Sequence, residues 1–409
     1  MDNKNLKASL AESSSRRDHR QIGQELDLFS FHDVAPGTVF WHPKGWSVYL
    51  TLQNYIRSLL EKDYTEISTP VMTKSQLFKN SGHWDHYKEN MFSLDIEAES
   101  YSLKPMNCPE SALIYSTKTR SYNDLPLRFS DFGILHRNEL SGVLGGLFRV
   151  RQFTIDDAHI YLRPDQIQEE IQRLLKLVIK FYEIFKFRPK IFLSTKPDKA
   201  MGDDKLWQEA EGALKTALDN SSVEYGVKEK DGAFYGPKID IHINDSQGRD
   251  WQVATIQLDF QIPEKMQLEY IDSDGTGKRP VIIHRAITGS LERFIGILTE
   301  HYQGAFPLWL SPVQVAILPI TDGQIEHAEK LASELRDEGI RVEVDSRSET
   351  LQAKIREATL QKVPYLGIIG EKEVADGKII SVRDRKGESK TMELSGFLDI
   401  LKKEIEQKF

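Results

Sequence analysis

The stretch FSDFGILHRNELSGVLGGLFRVRQFTIDDAH, residues 129–159, holds two runs of alternating apolar and polar residues on either side of a glycine-containing loop. This pattern predicts a long β-hairpin. Side chains alternate between the two faces of a strand, so Leu135, Arg137 and Glu139 of the first arm are predicted to share a face. The second arm adds to that surface Arg149, Phe153, Asp157 and His159.

A surface with arginines, carboxylates, an aromatic ring and a histidine is a poor hydrophobic core. It suits a ligand that carries phosphates, a planar ring and an ammonium group. ATP together with an amino acid has all three features.

Several motifs of this chain resemble those of a known family. HRNE at residues 136–139, with RVRQF at 149–153, resembles motif 2 of class II aminoacyl-tRNA synthetases. The resemblance narrows to threonyl-tRNA synthetases through KPMNCP at 104–109, DDAH at 156–159, AFYGPKID at 233–240 and HRAITGSLERF at 284–294. It extends from about residue 18 to the C-terminus with matching order and spacing.

The resemblance implies an α+β antiparallel class II catalytic domain followed by a smaller α/β anticodon-binding domain. We predict a polar N-terminal lead-in at residues 1–31, the catalytic domain at 32–311 and the anticodon-binding domain at 312–409. Alternating β and α patterns after residue 312 independently predict an α/β domain. Bacterial-type members carry a further N-terminal part with an editing domain, and we expect a form that lacks it.

Composition is that of a globular protein without a membrane segment. Apolar content is 39%, charged content is 28%, and no run of about 18 apolar residues occurs. The single cysteine, Cys108, indicates a reducing compartment, and a cytoplasmic location is expected. Organellar targeting is the alternative, against which Asp2 and Glu12 count. Because the net charge is −8, any tRNA contact must come from local basic patches.

Apolar periodicity places the main elements. A helix at residues 46–60 and a strand ending at Pro70 resemble motif 1, which implies a homodimer, although an ordinary core helix gives the same pattern. The other predicted catalytic-domain elements are a helix at 164–186, strands at 190–194, 234–244 and 252–260, and a helix at 206–220. Those of the C-terminal domain are strands at 313–320, 341–344, 365–369 and 378–385, and helices at 324–338, 351–361 and 394–407.

Cys108, His159 and His284 are predicted to bind metal only because of the resemblance. They lie far apart in sequence, and a lone buried cysteine or histidine is more often structural. In the family these positions bind Zn²⁺, and three N/S ligands leave room for substrate. Zinc there takes the amino and hydroxyl groups of threonine, and valine has no hydroxyl. Asp157 would then receive the substrate ammonium, with a surface salt bridge as the alternative.

Serine keeps the hydroxyl and lacks one methyl group, a difference of about 1–3 kcal/mol. Zinc alone should therefore admit serine. We expect some mischarging, which either a trans-editing protein or a residual pre-transfer check would correct.

The resemblance also assigns the ATP and threonine sites. Arg137 would contact the α-phosphate, Arg293 and Arg149 the terminal phosphates, Glu139 the adenine amino group, and Phe153 the adenine ring. Mg²⁺ is expected with ATP. Further predicted pocket residues are Tyr235, Lys238, Gln252 and Gln257, for which solvent-facing strand positions are the alternative.

Three positions depart from the family pattern. Glu110-Ser111 replace the usual Gly-His, Val253-Ala254 replace Cys-Gly, and Ile155 replaces Gln. In the C-terminal domain, the positions predicted to contact the anticodon are Arg356, Glu373 and Arg383, within a basic face that also includes Arg347, Lys362 and Arg385. Ordinary surface charge remains the alternative there.

Three other interpretations stay open. The first is a synthetase for proline or serine, against which Cys108, Asp157, His159 and His284 argue. The second is a non-catalytic RNA-binding paralogue, which we would expect to have lost phosphate-binding arginines. The third is a specialised duplicate of the same enzyme, for example one resistant to an inhibitor.

Overall fold

The computed structural model describes residues 17–221, 223–245 and 247–408. The predicted lead-in therefore lies partly outside the described residues. Packing divides the chain into two compact units. Among the described residues, one comprises 17–30, 40–54 and 297–408, and the other comprises 31–39, 55–221, 223–245 and 247–296.

The α-helices of the described residues, α1 to α13 in chain order, cover His19–Glu25, Pro43–Leu60, Gln76–Asn80, His83–Tyr87, Cys108–Ser116, Ile167–Glu183, Asp204–Asp219, Gln261–Lys265, Leu291–His301, Ile325–Asp337, Leu351–Leu360, Glu371–Asp376 and Leu394–Gln407.

The strands of the same residues, β1 to β21, cover Phe29–Ser30, Phe40–Trp41, Thr65–Glu66, Met72–Lys74, Ser93–Ile96, Glu99–Leu103, Arg120–Ser121, Leu127–His136, Gln152–Leu162, Lys190–Ser194, Tyr225–Lys228, Lys238–Asn244, Asp250–Asp259, Tyr270–Ile271, Gly277–Lys278, Val281–Ala286, Val315–Pro319, Val342–Val344, Tyr365–Ile369, Ile379–Asp384 and Ser389–Glu393.

An eight-stranded sheet forms the centre of the second unit, in the order β11-β10-β12-β13-β16-β9-β8-β3. Its five inner pairings are antiparallel, as predicted, while β11 and β3 at the two edges pair in parallel. Helix α6 buries the predicted apolar stripe, which consists of Ile167, Ile171, Leu174, Leu175 and Val178. The central strands β16 and β9 of this sheet carry side chains of the candidate site.

The predicted hairpin is confirmed, with β8 and β9 paired from Leu127↔Tyr161 to His136↔Gln152. One detail of the prediction is wrong. Arg137, Glu139 and Arg149 lie in the connection between the strands, which contains the 3₁₀ turns Ser141–Val143 and Gly146–Phe148. The alternation of faces along a strand therefore does not apply to these three side chains. Their positions are set by the contacts that each of them makes.

Other boundaries also differ from the predictions. The strand predicted from residue 234 begins at Lys238, because residues 233–236 form a tight turn closed by the Ala233↔Gly236 bridge. Cys108 begins helix α5, with Pro109 at a position in the first turn where its missing N–H is not needed. Periodicity missed the two-residue strands and short helices such as α12, which are too short to show a period. It also missed strand β16, whose six residues are all buried and so show no alternation.

The C-terminal sheet has the order β18-β17-β19-β20-β21. Its first three strands are parallel, and β20 and β21 are added in antiparallel fashion. Apolar side chains of α10 and α13 pack on it, among them Leu331, Leu335, Phe397 and Leu401. The predicted α/β pattern is confirmed. Among the described helices, none has both the length and the apolar character needed to cross a membrane.

Candidate active site and metal centre

A cavity of about 340 Å³ opens above strands β9, β13 and β16 of the second unit. Most of the predicted catalytic-domain site residues line it: Cys108, Arg137, Glu139, Arg149, Phe153, Asp157, Tyr235, Gln252, Gln257, His284 and Arg293. Two predicted residues are not in its lining. His159 lies in the Cys-His-His cluster described next, and Lys238 is held by Asp240, with its Nζ 2.7 Å from Oδ2.

Cys108, His159 and His284 converge in the fold. Residues His159 and His284 are directly opposite each other on β9 and β16, and helix α5 brings Cys108 to them. One ligand atom from each residue lies within 4.8 Å of the others, and all three side chains are buried. Both ring nitrogens of His159 and Nδ1 of His284 have no hydrogen-bond partner. Since buried polar atoms are normally paired, these residues fit a metal ion.

The ionisation of the cluster agrees with this reading. Burial raises the pKa of the Cys108 thiol well above its usual value, and the nearby carboxylates Asp157, Asp259 and Glu110 add to the effect. Burial also lowers the pKa of His159, helped by His284. A neutral imidazole is the form that binds metal, and a cation is what would stabilise the thiolate. Two nitrogens and one sulfur are a donor set typical of Zn²⁺.

Asp157 lies beside the cluster on the same face of β9 and is held by Asn107. The Asn107 Nδ2 donates to Asp157 Oδ2 at 3.1 Å. The amide lies against Gly133, where an added Cβ would be 2.1 Å from Asn107 Oδ1. A larger residue at this position on β8 would therefore displace the Asn107 amide. Burial raises the pKa of Asp157 to about 6.

Three arginines meet at the other end of the cavity. The Arg293 Nε donates to the Phe148 carbonyl at 3.0 Å. Burial lowers the pKa of Arg293, and so do the neighbouring charges of Arg137 and Arg149. The Arg149 guanidinium pairs with Glu139 at 2.8 Å. A site with this much positive charge favours a polyanion such as a triphosphate.

The Arg137 guanidinium lies 5.0 Å from the centre of the Phe153 ring and 5.5 Å from that of Tyr87. These distances are within the range of cation–π contacts. Phe153 therefore contacts an arginine, and its stacking on adenine stays a prediction.

The N-terminus of α9 faces the same cavity. Ser290 Oγ accepts the Arg293 N–H at 3.1 Å, and Gly289 has φ of +73°. A Cβ at Gly289 would lie 2.9 Å from the Val253 carbonyl oxygen. Val253 is one of the departures from the family pattern, and its backbone makes the close contact whatever its side chain. The free N–H groups of a helix start favour anions.

Tyr235 and Gln252 also line the cavity. The Tyr235 ring lies 5.3 Å from that of His284. Asp240 accepts from Gln252 Nε2 at 2.5 Å and so ties Gln252 to Lys238. Lys238 is thus linked to the cavity lining through Asp240 and Gln252.

Glu110 and Ser111, which replace the usual Gly-His of the family pattern, are both buried. The Glu110 carboxyl is buried without a hydrogen-bond partner, and burial raises its pKa to about 7. Ser111 Oγ is 2.9 Å from the Tyr161 hydroxyl, a buried contact that joins helix α5 to strand β9. Ile155, the third departure, lines the cavity between Phe153 and Asp157.

Of the three residues predicted to contact the anticodon, Glu373 and Arg383 are linked through strand β20, whereas Arg356 lies on helix α11. Glu373 is buried and accepts from the Gly370 N–H at 2.9 Å and from the Ser381 hydroxyl at 2.7 Å. Arg383 lies two residues after Ser381 on β20, and so on the same face. Arg356 is exposed on α11. Arg385 of the predicted basic face instead donates to backbone carbonyls, including that of Phe306 at 2.6 Å.

Sequence reasoning missed several residues of the site. His83 is buried, its Nδ1 lies 2.9 Å from Ser81 Oγ, and its ring is 6.1 Å from that of Tyr235. Its place in the aromatic segment SGHWDHY was the available signal. Asp156, Asp259 and Glu292 were missed because their partners lie far away in sequence. Asp156, for example, accepts the N–H groups of Ile287 and Thr288, both at 2.8 Å.

Comparison with known proteins agrees with this geometry. Residues 91–302 match the family model described as the tRNA synthetase class II core domain (G, H, P, S and T). Residues 314–404 match the anticodon binding domain model. The chain thus has the core domain and the anticodon-binding domain of a class II aminoacyl-tRNA synthetase.

Individual relatives narrow the family. The threonine–tRNA ligase of Caldanaerobacter subterraneus subsp. tengcongensis is 51% identical over 401 residues, which are 98% of this chain. The crystal structure of the RNA binding domain of threonyl-tRNA synthetase from Cryptosporidium parvum Iowa II superimposes with a TM-score of 0.92 at 43% identity, and covers 95% of this chain and 98% of that one. A putative threonyl-tRNA synthetase from Aeropyrum pernix gives a TM-score of 0.81 at 29% identity, with coverage of 96% and 97%.

The chain belongs to the threonyl-tRNA synthetase family. It spans 62% of the length of the Caldanaerobacter relative.

Proposed function

We propose that this chain is a threonine–tRNA ligase, which activates threonine with ATP to threonyl-adenylate and transfers threonine to the 3′ end of tRNA(Thr). The observation that carries the proposal is a single cavity with a buried Cys108, His159 and His284 cluster at one end and three arginines at the other. The cluster suits a metal that recognises an amino acid, and the arginines suit a triphosphate. The family membership supports the same activity.

At the threonine end, Zn²⁺ held by Cys108, His159 and His284 would engage the amino and hydroxyl groups of the substrate and so favour threonine over valine. Asp157 accepts the substrate ammonium, and Asn107 holds its carboxylate in place. Tyr235, Gln252 and Lys238 shape the wall that faces the substrate, with Asp240 fixing the last two.

At the ATP end, activation requires the threonine carboxylate to attack the α-phosphate, and charge develops on the phosphate oxygens. Arg137 stabilises that charge, while Arg149 and Arg293 bind the outer phosphates. Glu139 and Phe153 hold the adenine, and Gln257 orients the nucleotide from β13. ATP enters with Mg²⁺, which neutralises the triphosphate. Arg137 and Arg293 are the proposed catalytic residues.

Further parts of the proposal concern organisation. We assign catalysis to residues 32–311 and anticodon binding to 312–409, with Arg356, Glu373 and Arg383 contacting the anticodon. A homodimer is supported by helix α2, which leaves Trp46 and Leu50 exposed. A cytoplasmic location fits a single reduced cysteine.

The test is aminoacylation of a tRNA(Thr) transcript with radiolabelled threonine by the zinc-loaded protein. Charging should occur and should fall about 10²–10³-fold for Arg293→Lys, which loses the fork geometry at the developing charge. Arg279→Lys is the matched control, because Arg279 is not in the cavity lining. Its guanidinium pairs with Glu264 at 3.0 Å and with Glu269 at 3.5 Å, and donates to the Leu268 carbonyl at 2.8 Å. Absence of charging by the native sequence would reject the proposal.

A further inference from the structure

A buried carboxylate contacts His284, one of the three proposed metal ligands. Asp259, the last residue of β13, has its Oδ2 2.9 Å from Nε2 of His284. Both side chains are almost fully buried, with exposed fractions of 0% for Asp259 and 7% for His284. Solvent therefore does not compete for this hydrogen bond.

The other oxygen of Asp259 has a separate task. Oδ1 accepts the backbone N–H groups of Gln261 at 2.7 Å and Ile262 at 3.0 Å, at the start of α8. A backbone N–H can only donate, so the atom of residue 259 at this position must be an acceptor. The orientation of the side chain is thereby fixed by α8, independently of His284.

A carboxylate at Nε2 fixes the tautomer of the imidazole. Because a carboxylate oxygen accepts at this position, the ring proton of His284 lies on Nε2, and Nδ1 keeps its lone pair. Nδ1 is buried and has no hydrogen-bond partner. We propose that Asp259 is a positioning residue that holds His284 in the tautomer that binds the metal through Nδ1. This inference rests on the proposed metal site.

This arrangement predicts that the nearly isosteric variant Asp259→Asn weakens metal binding more than the shorter variant Asp259→Ser. The two N–H groups of α8 require the amide oxygen of Asn at the Oδ1 position, so the amide NH₂ must face Nε2 of His284. Nε2 then has to accept, and the ring proton moves to Nδ1, where it blocks metal binding. The variant Asp259→Ser keeps a good helix cap but is too short to reach His284, so the ring can still choose either tautomer.

The experiment measures metal affinity of the full chain, with Zn²⁺ titrated against a chromophoric chelator and Co²⁺ titrated by its visible absorption. Outer carboxylate partners of metal-binding histidines typically change affinity about 10–100-fold. Asp259→Asn should weaken binding by about that factor, and Asp259→Ser by less. The matched control is Asp245→Asn, because Asp245 is also buried and also accepts backbone N–H groups, at 2.8 and 3.0 Å, but lies in the β12–β13 turn.

The order of the variants decides the question. A merely structural role of Asp259 predicts that Asn, the closer match in shape, is milder than Ser. Affinity of Asp259→Asn equal to that of the native sequence, or higher than that of Asp259→Ser, would overturn the inference. Failure of the native sequence to bind Zn²⁺ would instead reject the metal site of the proposed function. Far-UV circular dichroism of each variant verifies folding. We expect Asp259→Asn to retain the fold and to show weaker Co²⁺ absorption than the native sequence.

Discussion

The carboxyl group of Glu292 accepts the backbone N–H of Thr154, at 2.9 Å from one oxygen and 3.1 Å from the other. Strand β16 pairs with β9 only as far as Asp157, so Thr154 has no strand partner on that side. Glu292 supplies the missing acceptor. The contact fixes the first turn of α9, and with it Arg293, to the strand that carries Phe153 and Asp157.

Replacement of Glu292 should therefore affect adenylate formation according to whether an acceptor remains. Glu292→Gln keeps an acceptor for the Thr154 N–H and should retain kcat within a few-fold. Glu292→Ala leaves a buried N–H unpaired, which costs about 1–3 kcal/mol of stability, and kcat should fall with it. ATP–pyrophosphate exchange and urea unfolding measure the two effects. Equal loss of kcat in both variants would contradict this role for the contact.

The ionisation of Glu292 should also make the stability of the protein depend on pH. Burial raises the pKa of Glu292 to about 8, from an ordinary value of 4.5. The folded state thus holds this proton more tightly than the unfolded chain. Stability from this group is complete below about pH 4.5 and is lost as the pH rises towards about 8. Each pKa unit corresponds to about 1.4 kcal/mol, so the loss should amount to a few kcal/mol.

Urea unfolding between pH 5 and pH 8 measures this loss. The decrease should be smaller in Glu292→Gln, which has no proton to lose at this position. Other buried carboxyls, such as Glu110, titrate alike in both proteins, so the difference between the two isolates Glu292. Parallel curves for the two proteins would count against the prediction.

The support of Asp157 by Asn107 predicts a selective effect on threonine. Asn107→Ser removes the amide that donates to Asp157 at 3.1 Å, and the carboxylate loses its fixed position. KM for threonine should rise about tenfold while KM for ATP stays nearly constant, since the arginines lie at the other end of the cavity. Steady-state exchange kinetics with each substrate varied in turn provide the test. A parallel rise of both KM values would point to general disruption instead.

The arginines should differ in importance according to burial. Arg293 is largely buried and donates to the Phe148 carbonyl, whereas the Arg149 side chain is 51% exposed and pairs with Glu139. Charge–charge interactions are weaker in solvent. Arg293→Lys should therefore reduce kcat/KM for ATP more than Arg149→Lys, by roughly tenfold or more. Exchange kinetics that rank the two variants in the reverse order would contradict this account of the ATP end.

Much of the fold follows from periodicity. The alternation along residues 152–162 predicted β9, and with it the common face of Phe153, Asp157 and His159. The apolar stripe of residues 167–178 predicted the buried face of α6. Both features are repeated over many residues, so local patterns are enough to find them.

The supporting contacts could not be found in this way. The partners of Asp259 and Glu292 lie 25 and 138 residues away, and no period links such distant positions. The connection at residues 137–151 has no regular alternation, so the contacts of Arg137 and Arg149 depend on tertiary structure. The cluster of Cys108, His159 and His284 was predicted from family resemblance, and the sheet register is what explains it physically.

Selection of threonine by a metal held by Cys108, His159 and His284, at a site that also binds ATP, can be measured in one experiment. The experiment is ATP–pyrophosphate exchange by the zinc-loaded protein with threonine, serine and valine in parallel, repeated with Cys108→Ala. We expect strong exchange with threonine, weaker exchange with serine and almost none with valine, all lost in the variant. Absence of exchange with every amino acid despite bound zinc would contradict this expectation and favour a non-catalytic RNA-binding protein.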